Sequence, residues 1–370
     1  MSQGEVVREV FPASVPDYAP PPGETLRELL DEQGMTQAEL ARRAGLSPKH
    51  VNQLIQGVVP LSAEIAARLE LVTGMPARLW NRLEADYQSI VTRNRRQGAL
   101  AAFTDWASDM PVKELVRREM LPPEPKDSVS RVTQMLAFFG VASVEAWSDV
   151  YAKPAASFRQ SAASAVLPGS VAAWLRLGEL AARDVPTEPF NEAKLRTALA
   201  ELRTMTNLPP AEFAPKLRHA CMSAGVALVF VREITGARAF GCTRWLTPDK
   251  ALVQLSCRYK SDDQFWFTFF HECAHLLLHG KRKLWIEDGD REDPQEVEAD
   301  DFASECLIPR RHAPRLAKVR SKADVVAFAS EIGVSPGIVV GRLQHDGSWK
   351  PKDGNGLKRR FSAEDLQAGA

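Results

Sequence analysis

At 370 residues, 45% hydrophobic and 25% charged, the chain is long enough for two or three domains with cores of their own. Its 47 Lys plus Arg balance 47 Asp plus Glu, so no overall charge draws it to nucleic acid or to a membrane, and any electrostatic attraction has to be local. Five cysteines without a Cys-x-x-Cys pair, no apolar signal core at the N-terminus and no run of about eighteen apolar residues point to reduced thiols in a soluble cytoplasmic protein with no membrane contact.

Residues 1–23 end in Pro20-Pro-Pro-Gly23 and read as an irregular lead-in. From 24 to 96 the pattern is a run of short amphipathic helices at 25–32, 37–44, 47–56, 62–72 and 76–88. Thr36, Ser47 and Ser62 are placed to cap helix starts, while Gly34, Gly45, Gly57 and Gly74 can take the left-handed conformation at helix ends. The second and third helices carry the spacing of a DNA-binding helix-turn-helix: Gln37 opens the pair, Ala41 is small where the helices cross, Gly45 turns the chain and Val51 packs back. With Val51, Leu54 and Ile55 facing inward, Ser47, Lys49, His50, Asn52, Gln53 and Gln56 face outward, hydrogen-bonding groups suited to phosphates and base edges. Arg42 and Arg43 supply local positive charge. A helical protein-interaction module is the competing expectation.

Residues 97–208 read as a helical connecting region, with apolar residues at helical spacing in 112–120, 128–139, 144–151, 170–182 and 191–206 and proline-bearing breaks between them. Trp147, Phe158 and Trp174 are expected in its core. After Pro209 a helix at 211–223 precedes two short β-branched runs, 225–232 and 250–256, with a third strand allowed between them. The overall class is therefore mainly α with a small β-sheet (α+β). Residues 251–256 are expected to form an edge strand that holds a substrate backbone by strand addition.

The stretch Phe267-Thr-Phe-Phe-His-Glu-Cys-Ala-His-Leu-Leu-Leu-His279 carries the most specific chemistry. On a helix, residues four apart share a face, so His271 and His275 can aim imidazole nitrogens at one ion, with Glu272 beside it as a base. A catalytic zinc wants three protein ligands and an open position, and Glu296, opening a second helix, is the best candidate for the third donor. Asp300, one turn on, can accept the free N–H of a ligating imidazole. Cys273 projects from another face and is expected to pack. His279, Arg282 and His312 are candidates to stabilise an oxyanion, with His279 also readable as a core histidine.

Near the C-terminus, Ala329, Gly333 and Val339 repeat the spacing of Ala41, Gly45 and Val51. Their outer positions are Ser335, Pro336, Gly337, Val340, Gly341 and Gln344, which offer little to a DNA groove. Residues 322–345 are accordingly expected to be a structural helical pair, and 350–370 a basic, turn-rich tail.

Two family resemblances follow from these residues. Gly34-Met-Thr-Gln-Ala-Glu-Leu-Ala41, Gly57, Ala66-Ala-Arg-Leu-Glu70 and Leu79-Trp80-x-x-Leu83-Glu84-x-x-Tyr87 resemble HigA-type antitoxins of the Xre helix-turn-helix superfamily. Phe267-Thr-x-x-His-Glu-x-x-His-Leu-Leu-Leu-His279, Glu296-x-x-Ala-Asp-x-Phe-Ala with Leu307-Ile-Pro309, and Gly333-Val-Ser-Pro-Gly-Ile-Val-Val-Gly-Arg-Leu-Gln344 resemble the ImmA/IrrE metallo-endopeptidases. The second resemblance, which runs from about residue 110 to 361, implies a zincin-like, gluzincin-type fold, its peptidase domain expected at 209–349, with His271, His275 and Glu296 as Zn2+ ligands and Glu272 as the catalytic base. Together they imply a homodimeric transcriptional regulator that binds double-stranded operator DNA and cleaves a protein substrate, such as a repressor or a cognate toxin or antitoxin. The alternative is a HigA-like antitoxin or repressor that senses metal or a partner without proteolysis. Cys273, where the family more usually has an aliphatic residue, and Asp262-Asp263-Gln264, in place of a basic lead-in, are departures that bear on substrate choice.

Overall fold

Helix caps decide the N-terminal part of the fold. The computed structural model describes residues 18, 20–125, 127–153, 167–256, 261–281, 285–286, 293–362 and 365–366, so the start of the lead-in, Phe158, Cys257 and Arg282 lie outside the described residues. Two compact units emerge, Met1–Ala102 and Phe103–Ala370. The first contains α1 (Pro22–Glu32), α2 (Gln37–Ala44), α3 (Pro48–Ile55), α4 (Ala63–Thr73) and α5 (Ala77–Leu100). The side chains of Thr36, Ser47 and Ser62 accept the amide protons of Glu39, His50 and Ile65, satisfying donors that each helix start leaves open. Gly45, at φ 64°, ends α2 in the left-handed conformation, which a side chain would strain. Leu26, Leu40, Val51, Leu69 and Trp80 form the core. The fifth helix runs twelve residues past the expected end at Gln88. Nothing between Gln88 and Gly98 breaks a helix, and a single glycine inside one costs only about 1 kcal/mol without ending it.

In the second unit, side-chain alternation along three strands explains why helices cover both faces of one sheet. Its principal helices before the sheet are α6 (Ser128–Phe139), α7 (Pro168–Arg183), α8 (Glu192–Thr204) and α9 (Pro210–Ser223). Strands β1 (Val226–Phe230), β2 (Gly241–Thr247) and β3 (Lys250–Leu255) follow, then α10 (Asp262–Leu278), the two-residue β4 (Trp285–Ile286), α11 (Pro294–Leu307), α12 (Lys322–Ile332) and α13 (Pro336–His345). The sheet order is β1-β3-β2-β4, with β1 and β3 parallel and the other pairs antiparallel. The expected edge strand at 251–256 is thus corrected. β3 pairs on both sides, Val253 lying opposite Leu228 and Thr243, so its main-chain groups are spent within the sheet.

Leu228, Phe230, Val253 and Leu255 point to one face and pack with Trp266, Phe269 and Phe270 of α10. Ala227, Val229 and Leu252 point to the other and pack with Val171, Trp174 and Leu175 of α7. Each fully buried aromatic of α10 contributes on the order of 2–3 kcal/mol to fixing that helix on the sheet. The helices between 103 and 185, expected to connect two domains, therefore build a face of this unit: Trp174 Nε1 donates to the Val231 carbonyl at 2.9 Å and Gln254 Nε2 to the Trp174 carbonyl at 2.8 Å.

The segment after Lys350, expected as a tail, is also part of the core. Phe361 and Leu366 are buried, the Arg359 guanidinium donates to the carbonyls of Thr206, Asn207 and Leu208, and Lys358 pairs with Asp263 at 2.7 Å. Among the described residues no single helix is long and apolar enough to cross a membrane.

Candidate metal centre and nucleic-acid face

The apolar residues of α10 bury the helix on the sheet and carry its polar residues inward with it. His271, Glu272 and His275 are at most 1% exposed, and Glu296, in the first turn of α11, is 9% exposed. The structure brings together all three of the expected ligands. His271 Nε2 and His275 Nε2 lie 3.0 Å apart, Glu296 Oε2 is 3.0 Å from the first and Oε1 is 3.5 Å from the second. A tetrahedral ion with bonds of about 2 Å would hold its donors about 3.3 Å apart, so these three could share one metal ion.

Tautomers support the same fit. Asp300 Oδ1 lies 2.8 Å from His271 Nδ1, and a proton held there leaves Nε2 as a bare lone pair facing an acidic oxygen. Burial holds the His275 imidazole below its usual range, hence neutral. Burial works to raise the Glu296 carboxyl, but the hydrogen bonds and charge of His271 and His275 outweigh it and pull the group down to about 2. A metal ion in place of those shared protons would be met by two imidazole nitrogens and a carboxylate as lone-pair donors.

His275 is backed by a histidine where His271 is backed by a carboxylate. Its Nδ1 is 2.9 Å from His279 Nδ1, and His279 Nε2 is 3.2 Å from Glu298 Oε2. With His275 presenting Nε2, its Nδ1–H donates to His279, which in turn donates to Glu298. His279, 7% exposed, therefore stands behind a ligand-bearing ring. His312 lies beside Arg311 and packs on the Phe328 ring.

Two further residues touch Glu272 that sequence reasoning did not find. The Thr243 hydroxyl, on β2, donates to Glu272 Oε2 at 2.6 Å. Gly241, two residues earlier on the same face of the strand, leaves the space the carboxylate occupies, since a Cβ there would come within 2.2 Å of Glu272 Oε1. Cys273 points the other way, fully buried, and burial pushes its thiol well above the usual range.

On the N-terminal unit, Gln37, Arg42, Arg43, Ser47, Lys49, Asn52 and Gln56 are exposed, and His50 and Gln53 half-buried, over the buried Val51, Leu54 and Ile55. Not all of these are equally available. The Ser47 oxygen accepts the His50 amide as a cap, while Arg42 and Arg43 both pair with Glu39, the latter at 2.6 Å. The C-terminal pair has no such open face. Val340 is fully buried, Cβ atoms at Gly337 and Gly341 would strike Asp262 and Asp263, and the Ser335 hydroxyl donates to Asp262.

Residues 26–80 match the helix-turn-helix family, and residues 246–344 match the M78 peptidase family, described as an IrrE N-terminal-like domain. Over 65 residues the chain is 32% identical to YddM, an HTH-type transcriptional regulator of Escherichia coli (strain K12), covering 18% of this chain and 69% of that protein. Similar solved structures include the Pseudomonas aeruginosa antitoxin HigA with the higBA promoter, 32% identical over 22% of this chain and 89% of that one, with a TM-score of 0.21. A HigA-family addiction module antidote protein from Coxiella burnetii is 23% identical over 22% and 91%, also with a TM-score of 0.21.

Proposed function

We propose, for a chain that belongs to the helix-turn-helix transcriptional regulators and carries an M78 peptidase domain, that it is a cytoplasmic DNA-binding regulator with a zinc-dependent endopeptidase centre. Its substrate would be another regulatory protein, such as a repressor or antitoxin. The observation that carries this is the convergence of His271, His275 and Glu296, with Glu272 buried on the same helix.

Zinc bound there would supply the Lewis acidity that polarises a peptide carbonyl and makes a water nucleophilic near neutral pH. Glu272 would take the proton of the attacking water and pass it to the leaving amine. Thr243, donating to Oε2, holds that carboxylate in one orientation. Asp300 fixes the tautomer of His271, and His279 with Glu298 fixes that of His275. At the other end of the chain, Lys49 and the Arg42 and Arg43 guanidiniums would contact phosphates. Gln37, Ser47, His50, Asn52, Gln53 and Gln56 would lie along the groove, and a homodimer would read paired half-sites of an operator.

A second reading, a regulator that senses metal without proteolysis, draws on Glu272 being fully buried and bonded to Thr243. One experiment separates the two. Zinc-loaded protein is incubated with the products of the neighbouring genes, wild type beside Glu272→Gln. A fragment formed by wild type alone supports the peptidase; intact metal and DNA binding with no Glu272-dependent fragment leaves the sensor.

A further inference from the structure

A cleft of about 1200 Å³ opens on the other face of the sheet from α10, among the short helices that precede α7, and none of the metal donors lines it. Trp106, on the short helix Thr104–Ser108, and Trp147, at the end of the short helix Val144–Trp147, meet edge to face in its wall, with ring centroids 5.4 Å apart. Trp147 is 7% exposed and packs in turn on Phe139. Arg131 of α6 and the first turn of α7 complete the polar part of the wall. Three buried donors here have no acceptor among the described residues: Trp106 Nε1, Trp147 Nε1 and Arg131 Nε. The far end of the same guanidinium pairs with Glu124 at 2.8 Å.

We propose that this cleft binds a small molecule with a flat aromatic body and a carbonyl or carboxylate oxygen. The oxygen accepts from the two indoles and Arg131, and the ring packs on the tryptophan pair, Met110 and Leu167. A buried donor without an acceptor is destabilising, and an indole N–H can donate but never accept. The unmet groups of this wall are therefore all of one kind, and all three are answered by an oxygen lone pair. The start of α7, the positive end of a sixteen-residue helix, favours the same partner. Of the acids that line the cleft, Glu124 pairs with Arg131 and Glu114 with Arg118, and Asp109 is exposed, so the buried wall has no unmet acceptor to offer a cation. None of the three nitrogens is open to water, so the ligand's oxygen reaches the indoles as their rings turn about χ2, a soft rotation. A volume of about 1200 Å³ is ample for an aromatic small molecule. The site stands whether or not the metal centre cleaves peptides.

The test uses the full-length protein, its tryptophans labelled at the indole nitrogen, and three probes built on one ring: 1-naphthaleneacetamide, 1-naphthaleneacetate and 1-naphthylmethylammonium. Indole N–H resonances are followed by NMR and assigned with Trp106→Phe and Trp147→Phe. At least one of the two acceptor probes should bind with a Kd of about 1 mM or tighter. It should move the Trp106 and Trp147 resonances downfield, the direction a new hydrogen bond gives, and leave the six others of the chain's eight tryptophans in place. The ammonium probe, with the same ring but donors only, should bind at least about tenfold more weakly. The tighter of amide and carboxylate tells whether the natural ligand is neutral or an anion. Each Phe variant keeps an aromatic ring and removes one N–H, so it should narrow the preference for acceptor over ammonium by about tenfold, while the six other resonances report that the variant is folded. No shift at either tryptophan with any probe, equal binding of all three, or an acceptor preference undiminished in both Phe variants overturns the assignment.

Discussion

The molecule contains the same helix–turn–helix spacing twice and uses it in opposite ways. Ala41, Gly45 and Val51 correspond to Ala329, Gly333 and Val339; both turns pass through a left-handed glycine, at φ 64° and 73°, and both second helices start at a Ser-Pro pair. In α2 and α3 the outer positions are polar and open to solvent. In α12 and α13 the equivalent surface is Gly337 and Val340, both buried, and the half-buried Gly341, with the two glycines packed against Asp262 and Asp263 of α10. Spacing of small, turn and apolar residues thus fixes how two helices cross, and only the remaining positions decide whether the pair faces a groove or a core.

Exchanging residues between the pairs probes that difference. Val340→Asn puts an amide where Asn52 stands in the first pair, but into a fully buried site, and should cost about 2–4 kcal/mol in urea unfolding. A cost under 1 kcal/mol would mean that this face is open. Ser335→Ala should cost about 2–3 kcal/mol, because the hydroxyl serves the buried Asp262 as well as the helix cap. That deficit should depend on pH. Burial raises the Asp262 carboxyl above its unfolded value, so its ionisation counts against folding as pH rises through the raised value. The Ser335 bond favours the ionised form, so the variant should fall furthest behind wild type at neutral pH and approach it as pH drops below the Asp262 pKa. Ser47→Ala, which loses only a cap, should cost about 1 kcal/mol with no such pH dependence. Asn52→Val should change stability by less than about 0.5 kcal/mol yet weaken operator binding, and Lys49→Ala should lower the salt dependence of that binding by about one unit of slope. Retention of full operator affinity by both variants would remove α3 from the DNA.

Features set by neighbours in the chain were legible in the sequence. Caps at Thr36, Ser47 and Ser62, the turn at Gly45 and the four-residue spacing of His271 and His275 are local, and each lies where the residues imply. Glu296 was legible because it opens a helix whose apolar spacing could be read independently. Features set by pairing across the chain were not. β3 reads alike whether it lies at an edge or in the middle of a sheet, since strand order depends on which partners arrive from elsewhere. Thr243 carries no sign in its own sequence of meeting Glu272, 29 residues on. The segment after Lys350 looks like a solvated basic stretch until Asp262 and Asp263 supply the carboxylates that Arg359 and Lys358 meet. Those two acids, at the start of α10, are explained by the same contacts.

On the proposed reading, His271, His275 and Glu296 hold one zinc ion. Zinc content measured by plasma mass spectrometry on purified, dialysed full-length protein tests it directly. Wild type and Glu272→Gln should carry about one zinc per chain, and His275→Ala and Glu296→Gln should lose nearly all of it. Wild type without zinc, or undiminished zinc in Glu296→Gln, would contradict it.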